Sequence, residues 1–321
     1  MKWQKCILKQ VALAGMGLTL AHGHPSLPAG DGTTSPAEVE EVRIPHQTRQ
    51  IEGWTVHVDE SLLSGEHAEE GALALRVLEY RLNRIIMRLP EEPRKEMQKV
   101  PIFLDRAHPL GNAHFHPSRD WLVSHGYDPA LTEAVHITSA RSLIRGAKNP
   151  TSGAVVLHEL AHAYHFLVLG FEERRILEGY RAFCDSEKYD AVSYPYGRQR
   201  PHYGLMDHKE FFAEMTETFF VENNTYPFNR TELMLDAPET YRLIADIWGV
   251  DVPEPRGKWA EEPTAWDLRM LSTLKAQRGQ FDEALEMVAK AKQLEPHNER
   301  LDSLLMKLEE DKKAASSPGT E

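Results

Sequence analysis

Cysteine is nearly missing. The 321 residues hold two, Cys6 and Cys184, too few for a disulfide-stapled scaffold or a cysteine-rich metal domain. Basic charge is in deficit as well: 37 Lys plus Arg stand against 49 Asp plus Glu, for a net charge of −12. With no basic stripe along the chain, neither nucleic acid nor an anionic membrane surface is an expected partner. Long apolar runs are also lacking, since the best, Val11 to Ala21, falls far short of the ~20 residues a bilayer span needs. What remains is ordinary globular composition, 41% hydrophobic and 27% charged, with room for one large domain plus a small one. Histidine is the exception: there are 16, several of them packed into the stretches 113–125 and 158–165, which points to metal chemistry.

Lys2, Lys5 and Lys9 precede the apolar run, and small residues follow at Ala21 and Gly23, the layout of a secretory signal peptide over 1–23. Export to a periplasmic or extracellular location is the expectation, with an N-terminal anchor helix as the alternative. Cleavage there leaves Cys184 alone, so no intrachain disulfide supports the fold. Residues 24–50, with Pro25, Pro28, Pro36 and Pro45 and few large apolar side chains, have the composition of a flexible linker. A domain is expected over 51–252, closed by Pro253 and Pro255.

Inside it, Trp54 to Val58 alternates as a strand, and Leu75, Leu78, Leu82, Ile85 and Leu89 recur at helical spacing over 68–89, with Pro90 and Pro93 closing the helix. Short apolar runs at 100–104 and 134–138 suit buried strands, with a long loop carrying Trp121 and four histidines between them. The clearest helix spans 150–169; Asn149 suits its cap, Pro150 its first position and Gly170 its stop. Further helices are expected from Asp207 to Val221 and from Thr231 to Gly249. The expected class is α+β.

From 265 to 298 the chain resembles one tetratricopeptide repeat, with Leu268, Leu271, Gly279, Phe281, Ala284, Ala291 and Pro296 at its spacing. An amphipathic helix from Glu299 to about Lys313 caps it. The segment 263–313 is a place for a protein partner, with a plain helical hairpin as the alternative and 314–321 as a disordered tail.

The chemistry concentrates in HELAHAYH, beginning at His158. Residues four apart share a helix face, so His158 and His162 can bind one cation while Glu159 lies within reach of a water the ion activates. Two neutral imidazoles leave zinc enough charge to acidify water, and the carboxylate takes its proton as the water attacks a carbonyl. A catalytic zinc site wants a third protein ligand. His165 lies about a further turn along the same helix and does not close the tetrahedron; it is structural or supports a ligand from behind. The segment DHKEFFAEMTETFF supplies carboxylates instead. Glu210 and Glu214 share a face there, one to bind zinc and the other to orient a ligand histidine, although Asp207 and Glu210 also make a capping box.

HELAHAYH, EFFAE from Glu210, Tyr203 and Gly204 seven residues before the glutamate, and an APxT segment from Ala237 to Thr240 together resemble the gluzincin zinc metallopeptidases related to the catalytic domain of anthrax lethal factor. The likeness covers 154–248. It implies a zincin-like fold with a small mixed sheet and an active-site helix. His158, His162 and Glu210 become zinc ligands, Glu159 the general base, Tyr203 the transition-state donor and Glu214 the supporting carboxylate. The toxin's delivery and recognition domains have no counterpart, so its substrate does not carry over.

A phenol aimed at a developing oxyanion lowers the barrier without competing for zinc; Tyr194 and Tyr196 rival Tyr203 for that role. His114 and His116, in the motif HFHP, are a weak candidate for a second metal and more simply loop or substrate-contacting residues. The strand at 134–138 is the expected edge on which an extended peptide lies. The function these features point to is an exported zinc metalloendopeptidase acting on peptide or protein substrates. The alternative is a catalytically silent metal-binding scaffold acting through its helical tail; the intact Glu159 argues against it.

Overall fold

A strand begins inside the stretch expected to be linker. The structure is a computed structural model that describes residues 43–149, 154–194, 198–252 and 263–316; the signal segment and the start of the linker lie outside them. Strand β1 (His46–Ile51) pairs antiparallel with β2 (Trp54–Asp59) through a turn in which Glu52 and Gly53 both take positive φ, 50° and 87°. The linker boundary at residue 50 is therefore wrong. Its sequence, HQTRQI, is largely exposed, and a polar outer strand has no apolar alternation to betray it.

Strands β3 (Ile102–Leu104) and β5 (Val135–Ile137) continue the sheet in parallel, and β4 (His114–Phe115) closes it antiparallel, for the order β1-β2-β3-β5-β4. The strand expected at the edge, 134–138, is thus interior. Two residues from the histidine loop cover it, too short a strand to read from sequence. The same loop also folds a short helix, α3 (Arg119–Ser124), capped by the Ser118 side chain.

Helices α1 (Ala68–Ile86) and α2 (Glu91–Gln98) cross from β2 to β3. Pro90 and Pro93 do not merely end the first; Pro93 lies in the opening turn of the second, where a missing amide costs nothing. Trp54, Val56 and Val58 of β2 and Leu78 and Leu82 of α1 are fully buried. The indole of Trp54 donates to the Met97 carbonyl at 2.9 Å, so this large side chain enters the core with its polar atom satisfied.

After α4 (Ala140–Lys148) comes α5 (Val155–Tyr164), which runs on through a π-helical turn, His165–Leu169, to Gly170 at φ 79°. Asn149 does not cap α5. It closes α4, donating to the Gly146 carbonyl at 3.2 Å, while Pro150 lies outside the described residues. α6 (Arg174–Asp185) and the hairpin β6 (Val192–Tyr194) and β7 (Arg198–Arg200) lead to α7 (His208–Phe220), capped by Asp207 as its sequence suggests. α7 packs against α5, and every residue from Glu210 to Phe220 is buried. The single helix expected from Thr231 is two, α8 (Arg230–Asp236) and α9 (Pro238–Trp248), because Pro238 suits a new start rather than a helix interior. Trp248 locks this layer: it stacks on Tyr164 with centroids 4.4 Å apart and donates to Thr216 Oγ1 at 3.0 Å.

The chain divides into two compact units at Val250 and Asp251. The second holds α10 (Ala265–Gln277), α11 (Phe281–Leu294) and α12 (Glu299–Ser316), opened by a capping box between Thr264 and Asp267. Leu268, Ala284, Val288, Ala291, Leu301 and Leu308 form its own core. The expected disordered tail begins too early, since residues 314–316 belong to α12. Among the described residues no helix is long and apolar enough to cross a membrane.

Candidate metal centre

His158 and His162 project from the middle of α5, and Glu210 faces them from the first turn of α7. His158 Nε2 lies 3.0 Å from His162 Nε2 and 3.1 Å from Glu210 Oε2, and His162 Nε2 lies 3.5 Å from that same oxygen. Ligands held at about 2.0 to 2.1 Å around a tetrahedral ion stand roughly 3.3 Å apart. The three atoms therefore already have the spacing of three corners of a zinc tetrahedron, with two nitrogens and one oxygen as donors.

Electrostatics asks for a cation at the same point. Burial disfavours charge on His158, but its hydrogen bonds to Glu210 and Glu217 outweigh that and raise its pKa well above the ordinary imidazole range. Glu210 is pulled the opposite way: burial raises it, and His162 and His158 hold it well below the carboxylate range. A positive charge among these side chains is favoured, and a metal ion supplies it in place of a proton.

Glu159 follows His158 on the helix and is buried. Its Oε2 accepts the Phe115 amide of β4 at 2.9 Å, tying α5 to the edge of the sheet. Burial pushes its carboxyl up to about 7, against the pull of His158 and His162. A carboxyl poised there can exchange a proton near neutrality.

Glu214 does not play its expected part. The outer ring nitrogen of His158, Nδ1, is 2.6 Å from Glu217 Oε1 and 3.8 Å from Glu214 Oε1. Glu217 also accepts the Ala154 amide through its other oxygen, so one carboxylate fixes both the first ligand and the start of its helix. Glu214 stands farther from that nitrogen, and its other oxygen accepts from Asn223 Nδ2 at 2.9 Å; burial and the neighbouring Glu217 push it up to about 7. Glu217 stands one turn beyond Glu214 on the same side of α7, and extending the Glu210 to Glu214 spacing by that turn is the signal that finds it.

Among the rival tyrosines, Tyr203 is the one within the field of the centre's carboxylates. Burial raises its hydroxyl pKa, followed by the fields of Glu210, Glu214 and Glu159. It opens a single 3-10 turn, Tyr203–Leu205, whose Gly204 sits so close to α7 that an added Cβ would meet Phe211 Cα at 3.2 Å. The glycine thus permits the close approach of this turn to α7. Tyr194 instead lies under Arg200, 3.6 Å from guanidinium carbon to ring centroid, and Tyr196 lies outside the described residues. His165 is fully buried among Phe171, Phe212 and His208, a structural place away from the ligand nitrogens. The rings of His114 and His116 lie 5.8 Å apart, and among the described residues neither belongs to a group of three ligand-type side chains; the ring of His116 reaches His136, with Nε2 3.3 Å from His136 Nδ1.

No protein-family model, no curated protein and no solved structure matches this chain. The chemistry open to the centre is set by its donors: two imidazoles and a carboxylate suited to zinc, an adjacent buried carboxyl for proton transfer, and a phenol.

The division between Glu217 and Glu214 has a measurable consequence. Glu217→Gln should weaken zinc binding by about 10 to 100-fold, the usual effect of losing a partner that orients a ligand histidine. Glu214→Gln, replacing a carboxyl already poised near neutrality by its amide, should change it only a few-fold. Competition against a chromogenic chelator reads both, and equal losses in the two variants would return Glu214 to the supporting role.

Proposed function

We propose that the chain is an exported zinc metalloendopeptidase of gluzincin type, with a zincin-like catalytic unit followed by a tetratricopeptide-like helical segment for a protein partner. The observation that carries this reading is the convergence of His158, His162 and Glu210 at tetrahedral spacing beside the buried Glu159. A zinc ion held by those three would supply a Lewis acid that polarises a carbonyl and acidifies water.

The chain's own groups divide the remaining work. Glu159 accepts the proton of the attacking water and passes it toward the leaving amine. Tyr203 donates to the oxygen on which charge develops. The substrate lies along β4 rather than along the strand at 134–138. His116 bonds back toward residues 133 and 134 through both its amide and its carbonyl, so by the alternation of an antiparallel pair the Phe115 groups face away from β5. The Phe115 amide goes to Glu159, and its carbonyl is left on the open edge to receive a backbone amide of an extended peptide.

Stripping the protein with a strong chelator should abolish cleavage of a broad peptide library, and one equivalent of zinc at this centre should restore it. Tyr203→Phe should lower kcat by roughly 10²-fold or more with KM nearly unchanged, as loss of an oxyanion donor does. Wild-type protein with zinc bound and no cleavage across the library would leave the silent scaffold in place of the enzyme.

A further inference from the structure

Behind the edge strand lies a second group of buried ligand-type side chains that the mechanism does not use. Asp105 follows β3, His136 stands in β5 and His108 lies in the loop that leaves β3. One ligand atom from each lies within 4.8 Å of the other two, and all three residues are buried. Asp105 Oδ2 is 2.7 Å from His136 Nε2, and its Oδ1 is 2.7 Å from His46 Nε2 on β1. The carboxylate is 1% exposed, with no Lys or Arg at salt-bridge distance among the described residues.

Hydrogen bonding alone does not account for this arrangement. Asp105 is satisfied by His136 and His46, yet a third imidazole is held against them: the His108 ring stands edge-on to that of His136, centroids 4.6 Å apart at 79°. Its Nδ1 accepts the Leu110 amide at 3.3 Å, a contact that an ion taken by that nitrogen would displace. His136 has its own support, since its Nδ1 meets His116 Nε2 at 3.3 Å, as a ligand histidine's outer nitrogen normally meets a partner. Two imidazoles and a carboxylate from two chain segments form the donor set of a divalent first-row ion.

We propose that Asp105, His108 and His136 form a second cation site, independent of the first, that takes a zinc-class divalent ion, with His46 holding the other oxygen of Asp105. Its place gives it a job. It joins the end of β3 to β5 and, through His136 and His116, backs onto the strand whose Phe115 amide holds Glu159. The ion would brace the sheet edge on which the peptide is to lie.

Zinc counting on the full chain tests this, using elemental analysis after dialysis against a weak chelator. Wild type should hold two zinc ions per chain, and a His158→Ala, His162→Ala double variant should hold one. Adding His108→Ala, a change at the less buried rim of the cluster, should remove that last ion while circular dichroism stays native. A double variant that holds none, or a folded His108→Ala protein that keeps the wild-type count, would overturn the second site. Should the double variant not fold, cobalt titration of wild type and of His108→Ala decides, with two equivalents against one expected. One wild-type equivalent lost through His108→Ala would instead leave this site standing and remove the first.

Discussion

Glu159→Gln should cleave peptide at least about 100-fold more slowly than wild type while keeping its zinc and its affinity for substrate. A general base contributes roughly 10² to 10⁴ in rate, and 100-fold corresponds to about 2.7 kcal/mol of barrier. The amide has the size and shape of the carboxyl it replaces. Its oxygen can still accept the Phe115 amide that Oε2 accepts in wild type at 2.9 Å, so α5 stays tied to the sheet edge. What disappears is a group that burial has pushed up to about 7, one able to take a proton and return it near neutral pH. Single-turnover cleavage together with metal content separates the effects: loss of rate with full zinc identifies the base. Undiminished cleavage would rule out the proposed chemistry, whereas no cleavage by wild type would point to a scaffold.

Glu210→Gln should cost the centre its ion outright, leaving one zinc fewer per chain than wild type after the same dialysis. The anionic oxygen 3.1 Å and 3.5 Å from the two imidazole nitrogens is the only negative ligand of this set, and an amide oxygen replaces it with a neutral one. His165→Ala is the control on the same stretch of chain. That imidazole is fully buried between Phe171 and Phe212, so its loss should lower the melting temperature by emptying part of a core while zinc stays. Full zinc in Glu210→Gln alongside loss in His165→Ala would reverse the ligand assignment.

The candidate ligands were legible because helix periodicity is local physics. A four-residue step puts His158 and His162 on one face whatever surrounds them, and Asp207 announces the helix that carries Glu210. Other features depended on chain segments meeting in space. Asp105 and His108 share one stretch after a strand, but His136 comes from another strand, so no spacing in the sequence joins it to them. Strand β4 has only two residues and exists because β5 offers it an edge. Cap residues mislead in a specific way: Asn149 ends one helix as readily as it begins the next, and the true start of α5 at Ala154 is served by Glu217 from a distant helix. Glu217 in place of Glu214 is the same lesson at the scale of one helical turn, where side-chain reach decides between two acids on one face.

The π-helical turn at His165–Leu169 separates two jobs within one continuous helix. Both candidate ligand histidines and Glu159 come before it, so the angles between them around the helix axis are set by regular α-geometry. Past that point the extra residue per turn rotates the backbone, sending the His165 ring among Phe171 and Phe212 while the Phe166 ring lies 5.9 Å from that of Phe115. Deleting one residue from this turn would restore the ordinary pitch and swing the chain that follows by about 100°, leaving the two imidazoles and Glu159 in place but moving the chain that leads to Glu210. The widened turn therefore acts as a phase joint: it sets the direction in which the chain leaves the two imidazoles, and with it the place of the aromatic wall beside the sheet edge.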